Sequence, residues 1–309
     1  ITIIAYGTGA KPIIQTYDSI PNWWNSGSWI DEGGNIWRLF LSNGYSGTTK
    51  INRLWINGIE VKQADPYDVS TYGEELSADY PFRHDGTYLY VYSADNPATS
   101  FYSMRTYTRQ NIYSTVKITD ADNVTIKGIE IRGGLFASVD LAGADNLLIE
   151  DCHIGKYANR SGIMSNGYYN NSTDKSSNNV ILNRDTIDSE WLYPYIYYDA
   201  LTPYGIYAGY TGGQLNTTSY WTVDSCYVRN WWFGIYLSSQ FATKSTSSIV
   251  SNCEISNQDG WSSGKGIQTY AFTQSPGDTT GVMTYHRFYN NYIHNLGGAG
   301  VSLSSNGNY

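Results

Sequence analysis

The feature that most constrains the fold is a ten-residue block that recurs along the second half of the chain. It is first legible as Asp122–Ile131 (DNVTIKGIEI) and returns as Asp145–Ile154 (DNLLIEDCHI). Repeats at a regular spacing are typical of solenoids, in which each repeat buries its apolar face only by stacking on its neighbours. The chain is therefore expected to fold as a stack of coils.

Six copies of the block align without a gap, and we take each as the first strand of a coil. One apolar column consists of Ile126, Ile149, Leu182, Val223, Val250 and Phe288, and a second, five residues later, of Ile131, Ile154, Ile187, Val228, Ile255 and Ile293. A column between them holds all three cysteines: Cys152, Cys226 and Cys253. Free cysteine is among the most buried residue types, so we expect buried thiols and no metal or redox role.

A second block follows each copy and gives the second strand of the coil. Its apolar column, which a glycine precedes in five of six copies, is Val139, Ile163, Ile206, Ile235, Ile267 and Val301. Short strands in register at a basal repeat of about 23 residues would stack about 4.8 Å apart. Asn or Asp before the strands tolerates the left-handed turns this requires. The sequence therefore predicts a parallel β-helix.

Composition supports an all-β protein and excludes some partners. The 309 residues include 30 tyrosines, 10 tryptophans and 31 glycines. The net charge of −8 argues against a nucleic-acid partner. No apolar run approaches the roughly 18 residues that a membrane span needs. We expect a monomer with no nucleic acid and no membrane span.

The first hundred residues interrupt the repeat. Residues 1–14 are expected to be two strands of an early coil, whereas Asn57-Gly58 and Asp85-Gly86 each mark a hairpin turn. Antiparallel hairpins cannot belong to a parallel coil. The predicted domains are an N-terminal coil and loop (1–32), an inserted antiparallel β module (33–112) and a parallel β-helix of at least six coils (113–309). His84, beside the second turn, is expected at the surface.

The ends of the chain bear on its location. It opens directly on the strand-like Ile1–Ala5 and stops just after a complete coil at Leu303. We expect a fragment trimmed at both ends and truncated at the C-terminus. A signal peptide is then presumed lost, and its absence says nothing about export.

Two motifs carry a resemblance to a known family: Tyr6–Ile14 (YGTGAKPII) and Leu54–Glu60 (LWINGIE). With them the chain resembles secreted right-handed parallel β-helix proteins of the pectin-lyase-like superfamily, and more narrowly bacterial carbohydrate-active members with an inserted β module. The resemblance implies a right-handed helix, an extracellular or cell-surface location, and a polysaccharide or oligosaccharide partner. It specifies no reaction, since one fold hosts many chemistries.

Aromatic residues indicate where a glycan would bind. They crowd the segments between first and second strands, and the outward row of the second strand reads Asp140, Met164, Tyr207, Tyr236, Gln268 and Ser302. Flat apolar rings suit the C–H face of a sugar, although the same rings could pack on the side of the solenoid. The predicted residues of this aromatic groove are Trp191, Tyr207, Trp231, Trp232, Tyr236, Trp261 and Gln268.

Three residues are predicted to be catalytic: Asp188, Asp259 and Lys265. Two carboxyl groups would serve glycoside hydrolysis, whereas a lyase needs a base and a cation or metal. Asp188 is placed in an outward row of the first strand. The competing interpretation is that all three are solvated loop charges. No cofactor is firmly predicted; calcium is expected only for a lyase, and no metal ligand is assigned.

Some family chemistries do not fit. Polygalacturonase aspartates would fall at positions that here read Ser161, Tyr204, Phe233, Lys265 and Ala299. The mannuronan epimerase signature is not matched, and the calcium and arginine motifs of pectate lyases are not recognisable. The leading prediction is therefore an exported polysaccharide-processing enzyme, either a glycoside hydrolase or a polysaccharide lyase. The alternatives are a non-catalytic glycan-binding or adhesin-like surface protein, and a phage-type tailspike depolymerase, which would need a trimer interface.

Overall fold

A computed structural model describes residues 1–41, 51, 53–64, 75–106, 114–134, 136–156, 158, 161–165, 177–189, 203–209, 219–240, 244–256, 264–272 and 282–305. They divide into two units. The first takes in the described residues of Ile1–Gln15, Ser114–Trp191 and Leu201–Tyr309, and the second those of Thr16–Tyr113. Both are built almost wholly of strands.

The strands up to residue 106 are β1 (Thr2–Ile4), β2 (Ile13–Gln15), β3 (Asp18–Ser19), β4 (Trp29–Gly33), β5 (Ile36–Phe40), β6 (Leu54–Ile56), β7 (Ile59–Val61), β8 (Phe82–His84), β9 (Tyr88–Tyr92) and β10 (Met104–Thr106). A 3-10 turn at Ser26–Ser28 and a short helix α1 (Pro97–Ser100) lie among them. Asn25 and Asn96 cap these two turns by accepting hydrogen bonds from Gly27 N–H and Ala98 N–H.

The strands from residue 114 onward are β11 (Ser114–Thr119), β12 (Thr125–Lys127), β13 (Glu130–Arg132), β14 (Ala137–Ala142), β15 (Leu147–Glu150), β16 (His153–Ile154), β17 (Ser161–Ser165), β18 (Val180–Asn183), β19 (Thr186–Asp188), β20 (Tyr204–Ala208), β21 (Thr222–Asp224), β22 (Tyr227–Arg229), β23 (Phe233–Gln240), β24 (Lys244–Thr246), β25 (Ile249–Ser251), β26 (Glu254–Ser256), β27 (Lys265–Phe272), β28 (Val282–Thr284), β29 (Arg287–Tyr289), β30 (Tyr292–His294) and β31 (Val301–Ser305).

Three parallel sheets, each of seven strands, form the first unit together with a two-stranded parallel sheet, β24-β28. Sheet I has the order β1-β12-β15-β18-β21-β25-β29, sheet II β2-β13-β16-β19-β22-β26-β30, and sheet III β11-β14-β17-β20-β23-β27-β31. Like residues pair with like across coils, as in Ile126 with Ile149 and Ile154 with Ile187. These side chains form one buried core with the three cysteines. The predicted parallel β-helix and its buried thiols are confirmed.

The repeated block is not one strand, as the sequence interpretation takes it to be. Ile126 lies in sheet I and Ile131 in sheet II, and the chain bends between them. Five residues of continuous strand would place these two side chains on opposite faces. A left-handed residue at the bend, such as Asp151 (φ 54°) or Ser225 (φ 55°), turns both columns inward. The cysteine column directly follows this corner residue.

The expected early coil is present. β1 pairs in parallel with β12, aligning Ile3 with Ile126, and β2 pairs in parallel with β13, aligning Ile14 with Ile131. The first fifteen residues therefore occupy the coil position next to a block that begins more than a hundred residues later.

Two antiparallel four-stranded sheets form the second unit, with the orders β3-β10-β6-β7 and β4-β5-β9-β8. The hairpins predicted at Asn57-Gly58 and Asp85-Gly86 join β6 to β7 and β8 to β9. One buried cluster contains Leu54 and Met104 from the first sheet and Leu39 and Leu89 from the second. The antiparallel strands begin earlier than the predicted start at residue 33, since β3 and β4 already belong to these sheets.

His84 is a correction to the sequence analysis, which expects it at the surface. Its side chain is fully buried, and its Nδ1 accepts a hydrogen bond of 2.8 Å from the Ile51 N–H. The reason is strand alternation: His84 pairs with Leu89 and shares the inward face of β8 with Phe82.

Candidate functional site

The outer face of sheet III is shaped by the glycine that precedes each inward isoleucine. A Cβ on Gly205 would lie 2.5 Å from Val228 Cγ1 of sheet II, so only glycine allows this close approach. Gly205 and Ile206 both fill the interior, and the residues on either side, Tyr204 and Tyr207, meet on the outside with ring centroids 4.8 Å apart.

The parallel strand register aligns the outward residues of sheet III in two rows. One row aligns Asp140, Met164, Tyr207, Tyr236 and Gln268. The other aligns Ala137, Ser161, Tyr204, Phe233 and Lys265. Tyr270 lies two residues beyond Gln268 and so on the same side of the strand. We call Tyr204, Tyr207, Phe233, Tyr236 and Tyr270 the aromatic face.

The rings of the aromatic face stack along the coils. Tyr207 and Tyr236 are 5.2 Å apart at an interplanar angle of 6°, and Tyr204 and Phe233 are 5.3 Å apart at 18°. Tyr270 continues the first stack, 6.4 Å from Tyr236. Stacked rings offer a continuous flat apolar surface.

Burial separates the supporting ring from those that a ligand could contact. Tyr207 is 3% exposed and packs with Met164 and Ala137, whereas Tyr204, Phe233, Tyr236 and Tyr270 are half-buried. Tyr207 therefore supports Tyr236 from the neighbouring coil, and the four half-buried rings form the contact surface.

Polar atoms without partners lie among these rings. Within the described residues, the buried side-chain atoms of β17, β23 and β27 that lack a hydrogen bond are Ser161 Oγ, Ser238 Oγ and Gln268 Oε1. The Gln268 amide nitrogen donates to Ser304 Oγ at 3.3 Å, so only its carbonyl oxygen is unused. An unpaired buried polar atom costs about 1–3 kcal/mol, and such atoms gather where a ligand or water supplies the partner.

Asp140 is the ionisable group of this face with acid–base capacity near neutral pH. Burial raises the pKa of its carboxyl to about 6, while the charge of Lys117, its partner residue on β11, and a hydrogen bond from Ser114 oppose the rise. A carboxyl group that still carries its proton near pH 6 can act as a general acid.

Lys265 supplies a positive charge at the end of the second row. Its Nζ lies 5.5 Å from the Phe233 ring centroid, and no carboxylate among the described residues forms an ion pair with it. Beside it, burial raises the pKa of Tyr236, so that hydroxyl remains a hydrogen-bond donor across the neutral range.

Asp188 lies in the outward row that the sequence predicts, aligned with Arg229 in sheet II. It is 1% exposed, however, and so does not face solvent. Its Oδ2 accepts from Arg229 Nε at 2.7 Å and its Oδ1 from Asn230 Nδ2 at 2.6 Å. The next coil thus engages both carboxylate oxygens in structural contacts.

The adjacent tryptophans Trp231 and Trp232 have different roles. Trp231 is fully buried in the core, and its Nε1 donates to the Ile187 carbonyl at 3.0 Å, so its prediction as a groove residue is wrong. Its ring fills the space left by Gly155 and Gly162. Trp232 is half-buried and stacks on Phe233 at 6.1 Å and 5°.

The structure thus brings five predicted residues to one face: Tyr207, Trp232, Tyr236, Lys265 and Gln268. The predictions at Trp191, Asp259 and Trp261 fall outside the described residues. The sequence analysis does not select Asp140, Tyr204, Phe233 or Tyr270 as site residues. Asp140 stood in the predicted outward row, and that position was the one signal available for it.

Two absences among the described residues concern metals and membranes. These residues contain no group of three or more His, Cys, Asp or Glu side chains arranged to hold a metal ion. No helix within them has the length and apolarity of a membrane span.

Comparison with known protein families and with curated proteins finds no match. Among solved structures, the chain is similar to the complex of XylC with xylose, with a TM-score of 0.39 and 11% identity, covering 98% of this chain and 60% of that one. It is also similar to PfbA, a surface adhesin of Streptococcus pneumoniae, with a TM-score of 0.27 and 10% identity, covering 61% and 58%. The chain thus spans less than two thirds of either protein, and at these TM-scores neither likeness bears on function.

Proposed function

We propose that this chain is a carbohydrate-active parallel β-helix protein that binds a glycan on the aromatic face and cleaves it. The observation that carries the proposal is the set of half-buried stacked rings with buried, unpartnered polar atoms between them. A pyranose offers both complements, since its C–H face packs on an aromatic ring and its hydroxyls donate and accept hydrogen bonds. Coils about 4.8 Å apart would repeat such contacts along a sugar chain.

Asp140 is the proposed proton donor. In glycoside hydrolysis a protonated carboxyl gives its proton to the leaving oxygen, and a second carboxylate about 5–10 Å away attacks the sugar or activates water. Asp259 remains a proposed catalytic residue, but not the partner of Asp140, because it precedes β27, which lies four coils from the Asp140 strand. The second carboxylate for Asp140 is therefore unassigned. In the lyase version, Lys265 would stabilise the charge that develops on a uronate substrate, and calcium could assist. Hydrolase and lyase both remain within the proposal.

A non-catalytic glycan-binding or adhesin-like protein is the second candidate, and one observation favours it. Asp140 is the only acidic residue in the strands of sheet III, and Asp188 is held by Arg229 and Asn230 in sheet II. Aromatic rings without a second carboxylate would bind a sugar chain without cleaving it.

The wider setting belongs to the same proposal. We place the chain in the right-handed, pectin-lyase-like class of secreted β-helices and propose that it works as a monomer outside the cell or at its surface. The antiparallel sheets of the second unit are proposed to be a module inserted into the helix, since β2 and β11 belong to the helical sheets and flank it in sequence.

The test is a panel of neutral and acidic polysaccharides incubated with the purified chain, with binding and cleavage measured separately. Reducing ends without ultraviolet absorbance would identify a hydrolase, and an unsaturated-uronate chromophore would identify a lyase. Binding without cleavage across the panel supports the second candidate. Absence of binding to every glycan would refute both.

A further inference from the structure

A second surface with binding chemistry lies on the antiparallel sheet β4-β5-β9-β8 of the second unit. Strand alternation directs Leu39, Leu89, Val91 and Phe82 into the buried cluster. The intervening residues therefore occupy the opposite side of the sheet. These are Ile30, Ile36, Arg38, Phe40, Arg83, Tyr88, Tyr90 and Tyr92, which we call the arginine–tyrosine face.

Cross-strand register assembles this face from aromatic and basic residues. Phe40 pairs with Tyr88, and their rings are 5.7 Å apart in an edge arrangement. Tyr90 lies 6.3 Å from Tyr88 on the same strand. Phe40 is 56% exposed, so the aromatic surface is open at that side.

Two guanidinium groups lie over these rings. Arg38 Cζ is 4.8 Å from the Tyr88 ring centroid, and Arg83 Cζ is 4.8 Å from that of Tyr90. Arg38 is neutralised by Glu32 at 2.7 Å. Arg83 differs, because no described carboxylate forms an ion pair with it. Its Nε is buried and lies outside hydrogen-bond geometry.

Ordinary sheet packing accounts for only part of this arrangement. Cross-strand aromatic pairs and cations over rings stabilise many sheets by about 0.2–1 kcal/mol each. They do not explain a guanidinium with a buried N–H that makes no hydrogen bond. The N–H groups of arginine normally donate to carboxylate, phosphate or sulfate-like oxygens.

We infer that the arginine–tyrosine face is a second glycan-binding surface, separate from the aromatic face, and that it takes an acidic sugar chain. The Tyr88 and Tyr90 rings would pack on the sugar, and the free donors of Arg83 would bind a carboxylate or sulfate group that the sugar carries. The charge of Arg83 selects an acidic ligand. The nearby Asp85 carboxylate is engaged elsewhere, since it accepts hydrogen bonds from the Thr87 and Tyr88 N–H groups and from the Tyr90 hydroxyl.

The experiment uses the full chain carrying Phe233→Ala and Tyr236→Ala, so that the aromatic face contributes little. Calorimetric titration measures three probes of equal length: an oligogalacturonate, a sulfated heparin oligosaccharide and a neutral malto-oligosaccharide. Arg83→Gln removes the positive charge. Arg83→Lys keeps the charge but removes the planar guanidinium, which can donate two parallel hydrogen bonds. The matched control is Arg105→Gln, since Arg105 Cζ also covers a tyrosine, 4.2 Å from the Tyr17 centroid, but in the other sheet.

We expect at least one acidic probe to bind about tenfold tighter than the neutral one, and whichever binds identifies the anionic group. Arg83→Gln should weaken that binding about tenfold and Arg83→Lys by less, while Arg105→Gln leaves it unchanged. Equal binding of acidic and neutral probes, no binding of either acidic probe, or equal losses in the Arg83 and Arg105 variants would overturn the inference. None of these results concerns the aromatic face, so the proposed function is tested independently.

Discussion

Tyr207 and Tyr236 stack ring on ring across neighbouring coils, 5.2 Å apart and 6° from parallel. The strand register that aligns them also aligns the isoleucines beneath them in the core. The repeated backbone thus spaces the rings regularly on its outer surface. The same coil-to-coil register positions the residues of the core and those of the candidate site.

Replacement of Tyr236 by alanine should weaken glycan binding by about tenfold, because it removes a central ring of the contact surface whose packing contributes about 0.5–1.5 kcal/mol. Titration calorimetry with a glycan selected from the panel gives the change in Kd. Tyr227→Ala is the matched control, since Tyr227 is 51% exposed but lies in sheet II. Similar losses in both variants would mean that the ligand does not sit on the aromatic face.

Asp140→Asn should abolish cleavage and leave glycan affinity within about threefold, because the amide keeps the shape but cannot donate a catalytic proton. In the unmodified chain the acid must be protonated. With its pKa at about 6, kcat/KM should fall as the pH rises through 6. Rates measured between pH 4 and 8 check this. Undiminished cleavage by the Asn variant would remove Asp140 from the mechanism.

Asp185→Asn should stabilise the fold at neutral pH. Asp185 accepts the Cys152 N–H at 2.8 Å in the corner column, where Asn291 does the same for Cys253 at 3.0 Å. Burial raises the pKa of Asp185 to about 8, so the native state favours its protonated form. The stability that Asp185 contributes is therefore fully present below about pH 4 and is lost as the pH rises toward 8. The amide avoids this loss, on the order of 2–4 kcal/mol at pH 7. It gives back about 1 kcal/mol, because the Asn183 N–H that now bonds Asp185 Oδ2 at 3.2 Å would face the amide nitrogen.

Urea unfolding of this variant at pH 4 and pH 8 makes the test, with Asp188→Asn as its counterpart. Asp188 is ion-paired with Arg229, so its amide variant should lose stability at pH 8 where Asp185→Asn gains it. Losses of the same sign in both variants at pH 8 would contradict the protonated state assigned to Asp185.

Gly205→Ala should destabilise the β-helix by about 2–4 kcal/mol. The added methyl would lie 2.5 Å from Val228 Cγ1 and 2.6 Å from the Gly234 carbonyl oxygen, which forces neighbouring coils apart. Gly27→Ala is the control, because a Cβ there meets its nearest neighbour at 3.5 Å. The urea midpoints of the two variants measure the difference, and equal midpoints would argue against a tight contact between sheets II and III.

The sequence predicted the stacking of coils but not the bend in the repeated block. The repeat shows which residues align from coil to coil. The burial of Ile126, Ile131 and Cys152 could therefore be predicted without knowing how the backbone turns between them. The bend depends on left-handed backbone at residues as varied as Asp151, Arg184 and Ser225, and residue type alone does not single these out.

The candidate site was only partly predictable for a related reason. Tyr236 and Gln268 belonged to an outward row that the repeat defines. Trp231 and Trp232 are identical neighbours, yet one enters the core, after a left-handed Asn230, and the other stacks on Phe233. The raised pKa of Asp140 arises from burial, which a strand pattern does not give.

The most direct test of the central claim is a crystal structure of the chain with a bound oligosaccharide from the panel, obtained with the Asp140→Asn variant to prevent turnover. We predict sugar rings packed on Phe233, Tyr236 and Tyr270, with hydroxyls bonded to Gln268 Oε1 and Ser238 Oγ. A sugar bound only at other strands, with the aromatic face unoccupied, would contradict the account.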